Sequence, residues 1–201
     1  ALPIWISDVG STKISVIEAF RRCLPDGIHR CIAAHPIAGS DRSGANSAQY
    51  GLFQNRKLII TPHGGEDSDG ISLIENLWRA VGAEIYTMDA QKHDAVFAAV
   101  SHMPHLAAFA YVHQLFDHPD GKAYLKFAAT GFQDFTRTAS SHPAVWADIC
   151  LANRDNLLEL IRGLGRQLDT LETILLNRDR PSLYRYFEEA KATRDSWSDE
   201  N

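Results

Sequence analysis

The sequence predicts an α/β segment followed by an all-α segment, with the division near residue 88. Up to that point short apolar runs alternate with helical periodicity, the signature of a wound α/β half-domain. Beyond it strand signals stop and the chain reads as helix. Near the C-terminus Leu157, Ile161, Leu164, Leu168, Leu171 and Leu175 recur at alternating spacings of four and three, an a/d seam.

The elements follow in order. Residues 4–7 form an apolar strand that runs into Asp8-Val-Gly-Ser-Thr-Lys13. A helix over about 13–23 then shows Ile14, Ile17, Phe20 and Arg21, with Ser11 or Thr12 placed to cap it. Residues 31–34 read as a buried strand that His35-Pro36 ends, because proline cannot join a central ladder. Residues 57–61 give another strand. After a glycine-containing turn, a helix capped near Asp69 carries Ile71, Ile74, Leu77, Trp78 and Val81 on one face. Gly82 stops it before a strand over 83–87. Residues 94–116 are apolar nearly all round, as in a central buried helix, with Pro104 as an interruption. The last long helix is expected over 146–177, widened by Leu158, Leu160 and Ile174. Residues beyond Arg180 read as a solvated helix fraying into a polar tail.

With 201 residues and 45% hydrophobic content the chain can bury one good core or two small ones. A net charge of −5 argues against nucleic acid or an anionic membrane as partner. Three scattered cysteines without a CxxC suggest reduced thiols in the cytoplasm and no metal framework. The first apolar run meets Asp8 too early for a signal peptide, and no stretch approaches the ~20 apolar residues of a membrane span.

Three polar clusters carry candidate chemistry. In the stretch from Gly131 to Trp146, Arg137 offers a planar fork of donors suited to a carboxylate, with Gln133, Asp134, Ser140 and Ser141 nearby. An Arg137–Asp134 ion pair on a solvated helix face is the plainer account. His35 stands at the carboxyl end of a strand, where ligands bind in open α/β sheets, with Ser40 and Asp41 in the loop beyond. A histidine there can accept a hydroxyl proton. Gly10 and Ser11 lie in a strand–turn–helix junction that favours negative charge, so Ser11 reads either as a cap or as a ligand-facing hydroxyl. His102 and His105 share one helical face, but no third ligand recurs, so no metal is expected.

Taken together, Asp8-Val-Gly-Ser-Thr-Lys13, His35-Pro-Ile-Ala-Gly-Ser-Asp41, His93-Asp94, Ser101-His-Met-Pro-His105 and Gly131-Phe-Gln-Asp-Phe-Thr-Arg137 through Trp146 resemble, in order, the prephenate and arogenate dehydrogenases of tyrosine biosynthesis. The resemblance implies the second half of a Rossmann-like nucleotide-binding domain over residues 1–88. A helical substrate-binding and dimerisation domain would follow over 89–201. It implies NAD or NADP as cofactor, a homodimer, and prephenate or arogenate as substrate. By the same resemblance His35 is the general base, with Ser11 bonding the same hydroxyl. Arg137 binds a substrate carboxylate; Ser40, Asp41, His105, Gln133, Asp134, Ser141 and Trp146 line the substrate side; Gly10, Ser11 and His102 meet the cofactor.

The family's GxGxxG loop does not occur here, so the chain is expected to be the C-terminal part of a longer protein and incomplete for cofactor binding. Asp41 stands where the family often has glutamate and Gln133 where it can have a base, a combination that leans toward arogenate. Two other readings remain: a non-catalytic helical dimerisation module, and a related β-hydroxyacid-type dehydrogenase, whose usual catalytic lysine is not matched.

Overall fold

The computed structural model describes residues 4–39 and 45–200. It comprises two compact units, Ala1–Leu157 and Leu158–Asn201. In the first, strand β1 (Ile6–Ser7) is followed by helix α1 (Ile14–Cys23), strands β2 (Cys31–Ile32) and β3 (Ala34–Pro36), strand β4 (Lys57–Ile60), helix α2 (Ser68–Ala80) and strand β5 (Glu84–Thr87). Helices then take over as predicted: α3 (Ala90–Phe97), a π turn at Ala98–His102, α4 (Met103–Asp117), α5 (Gly121–Tyr124), α6 (Thr130–Thr136), α7 (Pro143–Ala152) and α8 (Arg154–Leu176).

Strand alternation sorts the core onto two faces. Ile32, Ala34, Leu58 and Ile60 pack with Ile74 and Ala83, covered by Trp5, Ile71 and Trp78. Ala33, pointing the other way, packs with Ile17 of α1 and Ala90 of α3. The approach of α2 is close: a Cβ on Gly70 would lie 2.4 Å from the Trp5 ring. At the other end of α2, Gly82 takes φ +89°, and the Ala83 N–H donates to the Trp78 carbonyl (3.0 Å).

Several local expectations are corrected. β1 and β2 pair in parallel, as do β4 and β5, but β3 runs antiparallel to β4, with Ala34 opposite Ile60 and Pro36 opposite Leu58. Pro36 therefore continues the strand it was expected to end. The Ile37 N–H donates to the Lys57 carbonyl at 2.7 Å. That places Pro36, one residue earlier, at a position whose nitrogen faces away from β4, where no donor is needed. α1 is capped neither by Ser11 nor by Thr12, whose hydroxyl instead bonds Ser15 (2.9 Å). α2 begins after Asp67 rather than at Asp69. The long C-terminal helix is two helices, broken at Asn153.

The stretch Ala90–Asp117 is continuous over 28 residues and is long and apolar enough to cross a bilayer by length and composition, contrary to the expectation that no such stretch exists. It is also less buried than a central helix, with Val100, Tyr111 and Phe116 exposed. In the second unit α8 continues and α9 (Arg180–Glu200) stays helical where a frayed tail was expected. There the Tyr186 hydroxyl donates to Gln167 Oε1 (3.1 Å), while the seam residues Ile161, Leu164, Leu168 and Leu175 remain exposed.

Candidate active site

The site begins with a carboxylate that the α1 N-terminus lacks locally. Lys13 and Ile14 have unpaired N–H groups at the helix start, and both donate to Asp94 of α3, at 2.7 and 3.0 Å. Asp94 also accepts from His93 Nδ1 (2.8 Å). Burial pushes the Asp94 carboxyl up, but the bonds from His93 and from the two N–H groups outweigh it and hold the group below its ordinary value.

A carboxylate can only accept, so His93 Nδ1 carries a proton, and in the neutral ring His93 Nε2 is an acceptor. That nitrogen lies 2.9 Å from His35 Nδ1, which must then be the donor. His35 Nε2 is left with a free lone pair on a residue that lines the main cleft. The chain Asp94–His93–His35 thus fixes the tautomer a general base requires. His93 and Asp94 are fully buried, and Phe97 meets the His35 ring edge-on at 4.9 Å.

The strand carrying His35 is also clamped from below. Asp8 Oδ1 accepts from the Ala34 N–H (2.9 Å), the buried Lys13 ammonium donates to the Ala34 carbonyl (2.7 Å), and Lys13 pairs with Asp8. Burial, then the neighbouring His93 and the Lys13 cation, push His35 down to about 3. His35 therefore stays neutral in the fold.

The cleft, of about 680 Å³, brings together Ser11, His35, His105, Arg137, Ser141 and Trp146. His105 donates through Nδ1 to the Ser101 carbonyl (2.9 Å) and stacks on Trp146 at 3.8 Å. Burial, opposed by that carbonyl bond and reinforced by Arg137, lowers its pKa. Arg137 opens the short turn after α6 and forms no ion pair with any described residue, Asp134 included. Gln133 and Asp134 are exposed on α6 and do not line the cleft. Ser40 and Asp41 lie outside the described residues.

His102 is placed behind the cleft rather than in it. It is 1% exposed, edge-on to Trp146, with Nδ1 3.1 Å from Asn153 Nδ2. Asn153 Nδ2 also donates to the Asp94 carbonyl (2.7 Å), and its Oδ1 accepts from Asn156 (2.8 Å). Burial lowers His102 to about 4. Gly10 serves the loop: its N–H donates to Asp8 Oδ2 (2.8 Å), and a Cβ there would sit 3.0 Å from the same oxygen. Sequence reasoning missed Asn153, Arg56 and the linking role of His93-Asp94, although that dipeptide, a base beside an acid, was a visible signal. No cluster that would hold a metal is found among the described residues.

The two most strongly depressed histidines, His35 and His102, make stability pH-dependent. Unfolded, both titrate near the ordinary 6.5; folded, they protonate only at about 3 and about 4. Between those limits the unfolded chain binds more protons. The stabilisation is therefore complete above about 6.5 and is lost as pH falls through the folded values. Denaturant titrations at pH 7.5 and pH 5 should differ by on the order of 2 kcal/mol, after discounting for solvent reaching both rings. Equal stabilities would contradict the buried, neutral state of these rings.

Comparison with known proteins agrees with this architecture. Residues 3–87 match the family described as prephenate dehydrogenase, nucleotide-binding domain, and residues 89–189 match prephenate dehydrogenase, dimerization domain. A prephenate dehydrogenase of Bacillus subtilis is 38% identical over 96% of this chain and 52% of its own length. A cyclohexadienyl dehydrogenase of Zymomonas mobilis is 32% identical over 95% of this chain and 65% of its own. The chain thus spans about half to two thirds of these relatives. The crystal structure of Aquifex aeolicus prephenate dehydrogenase with hydroxyphenyl propionate and NAD+ superposes with a TM-score of 0.85 at 33% identity, over 96% of this chain and 66% of that one. Synechocystis arogenate dehydrogenase gives 0.78 at 26% identity, over 96% and 69%. The chain belongs to the prephenate dehydrogenase family.

Proposed function

We propose that the full-length protein is a cytoplasmic, homodimeric NAD- or NADP-dependent dehydrogenase that oxidatively decarboxylates prephenate or arogenate in tyrosine biosynthesis. The observation that carries this reading is the Asp94–His93–His35 chain, which leaves a free lone pair on His35 at a cleft that also holds Arg137. Ser11 lines the same cleft and its hydroxyl has no partner among the described residues, which fits the nicotinamide end of a dinucleotide. Gly10 shapes that loop, and His102 is buried.

When bound, the nicotinamide supplies the hydride acceptor. His35 Nε2 takes the proton of the ring hydroxyl as that carbon is oxidised, and Ser11 hydrogen-bonds the same oxygen. Arg137 holds a substrate carboxylate bidentately, which fixes the ring's orientation. Loss of the ring carboxylate as carbon dioxide then aromatises the ring, leaving 4-hydroxyphenylpyruvate from prephenate or tyrosine from arogenate. Covering the exposed apolar side chains of α4 and of the leucine seam is the task expected of a second copy.

The test is nicotinamide reduction by the full-length protein with prephenate and with arogenate, under each nicotinamide. Reduction with either establishes the activity. No reduction with any combination, from folded protein, leaves a dimerisation module as the better account.

A further inference from the structure

The cleft holds more positive charge than one carboxylate needs. Among the described residues its lining includes two arginines, Arg56 and Arg137, and no aspartate or glutamate. Neither arginine is in an ion pair with a described residue. In a chain of net charge −5, a cleft whose described lining carries two guanidinium groups and no carboxylate favours an anion.

Arg56 is also held in a definite place. Its N–H donates to the Phe53 carbonyl (3.1 Å), and its carbonyl accepts from the Glu84 N–H (2.8 Å). The backbone is therefore fixed while the guanidinium stays available. Arg56, Arg137 and His35 line the same cleft. A cyclohexadienol whose hydroxyl meets His35 carries its acidic groups at the opposite end of the ring.

We propose that Arg56 is a second carboxylate subsite, and that with Arg137 it makes the cleft select a dicarboxylate without an ammonium group, the prephenate type of substrate. This rests on the dehydrogenase reading. It also removes one ground for a lean toward arogenate, because Gln133 is not at the cleft.

The test is calorimetric binding to the full-length protein without nicotinamide. Three probes are compared: prephenate, arogenate with its added ammonium, and hydroxyphenyl propionate with a single carboxylate. The wild type should bind prephenate most tightly. Arg56→Gln should shrink the preference for prephenate over hydroxyphenyl propionate by at least about tenfold, the loss expected for one charge-assisted hydrogen bond. Arg56→Lys should keep most of that preference. If Arg56→Gln leaves the ratio unchanged, or weakens nicotinamide binding instead, the subsite assignment is overturned while the dehydrogenase reading stands. If the folded wild type binds none of the probes, both readings fall.

Discussion

Replacing His35 by asparagine lowers kcat by about 10²–10⁴-fold, the usual contribution of a positioned general base. The asparagine amide can still donate toward His93 Nε2, so the buried Asp94–His93 pair keeps a partner. It presents no basic lone pair to the cleft. The loss should therefore fall on turnover, with substrate affinity changed much less, because Arg137 lies elsewhere in the lining. Steady-state kinetics of the full-length protein decide it. A kcat within threefold of wild type would remove His35 from the chemistry and leave the cleft as a binding site only.

Arg137→Ala raises KM by about thirtyfold or more, the lower part of the 2–5 kcal/mol range for losing one side of a charged pair. The lower part applies because Arg137 is exposed when no substrate is bound, so solvent screens it. Arg137→Lys should recover only a fraction, since a point charge cannot reproduce the bidentate fork. Raising salt should weaken the wild type toward the variant. An unchanged KM in an active variant would send the carboxylate elsewhere, Arg56 being the obvious claimant.

The change from alternating strands and helices to helices alone was legible because it depends on local periodicity, as in the run at residues 31–34 and the apolar face of α2. The cleft residues that sequence clusters brought to notice, Ser11, His35, His105, Arg137, Ser141 and Trp146, each sit in a dense polar stretch within an apolar context. Illegible features depend on partners far away in sequence. The α1 cap comes from Asp94, some 80 residues on, so a search among local serines and threonines could not find it. Pro36 joins a strand because the pairing direction changes there, and direction is not written in a single strand. Asn153 breaks a helix whose apolar pattern runs straight through it, because its side chain is drawn to Asp94 and His102. Arg56 looks like ordinary surface charge until folding brings it to the cleft that His35 and Arg137 line.

Asp94 holds the start of a helix and, through His93, the ring of His35 with one carboxylate. A descendant of this protein that lost its substrate altogether would still be under pressure to keep Asp94, since α1 would otherwise begin with two unmet N–H groups. Its persistence in a degenerate copy would therefore be no sign of surviving enzymatic activity. His35 serves the fold through its bond to His93 and its contact with Phe97, and an amide side chain could keep the first of these. Drift at position 35 with Asp94 intact would, on the proposed mechanism, mark the loss of the base.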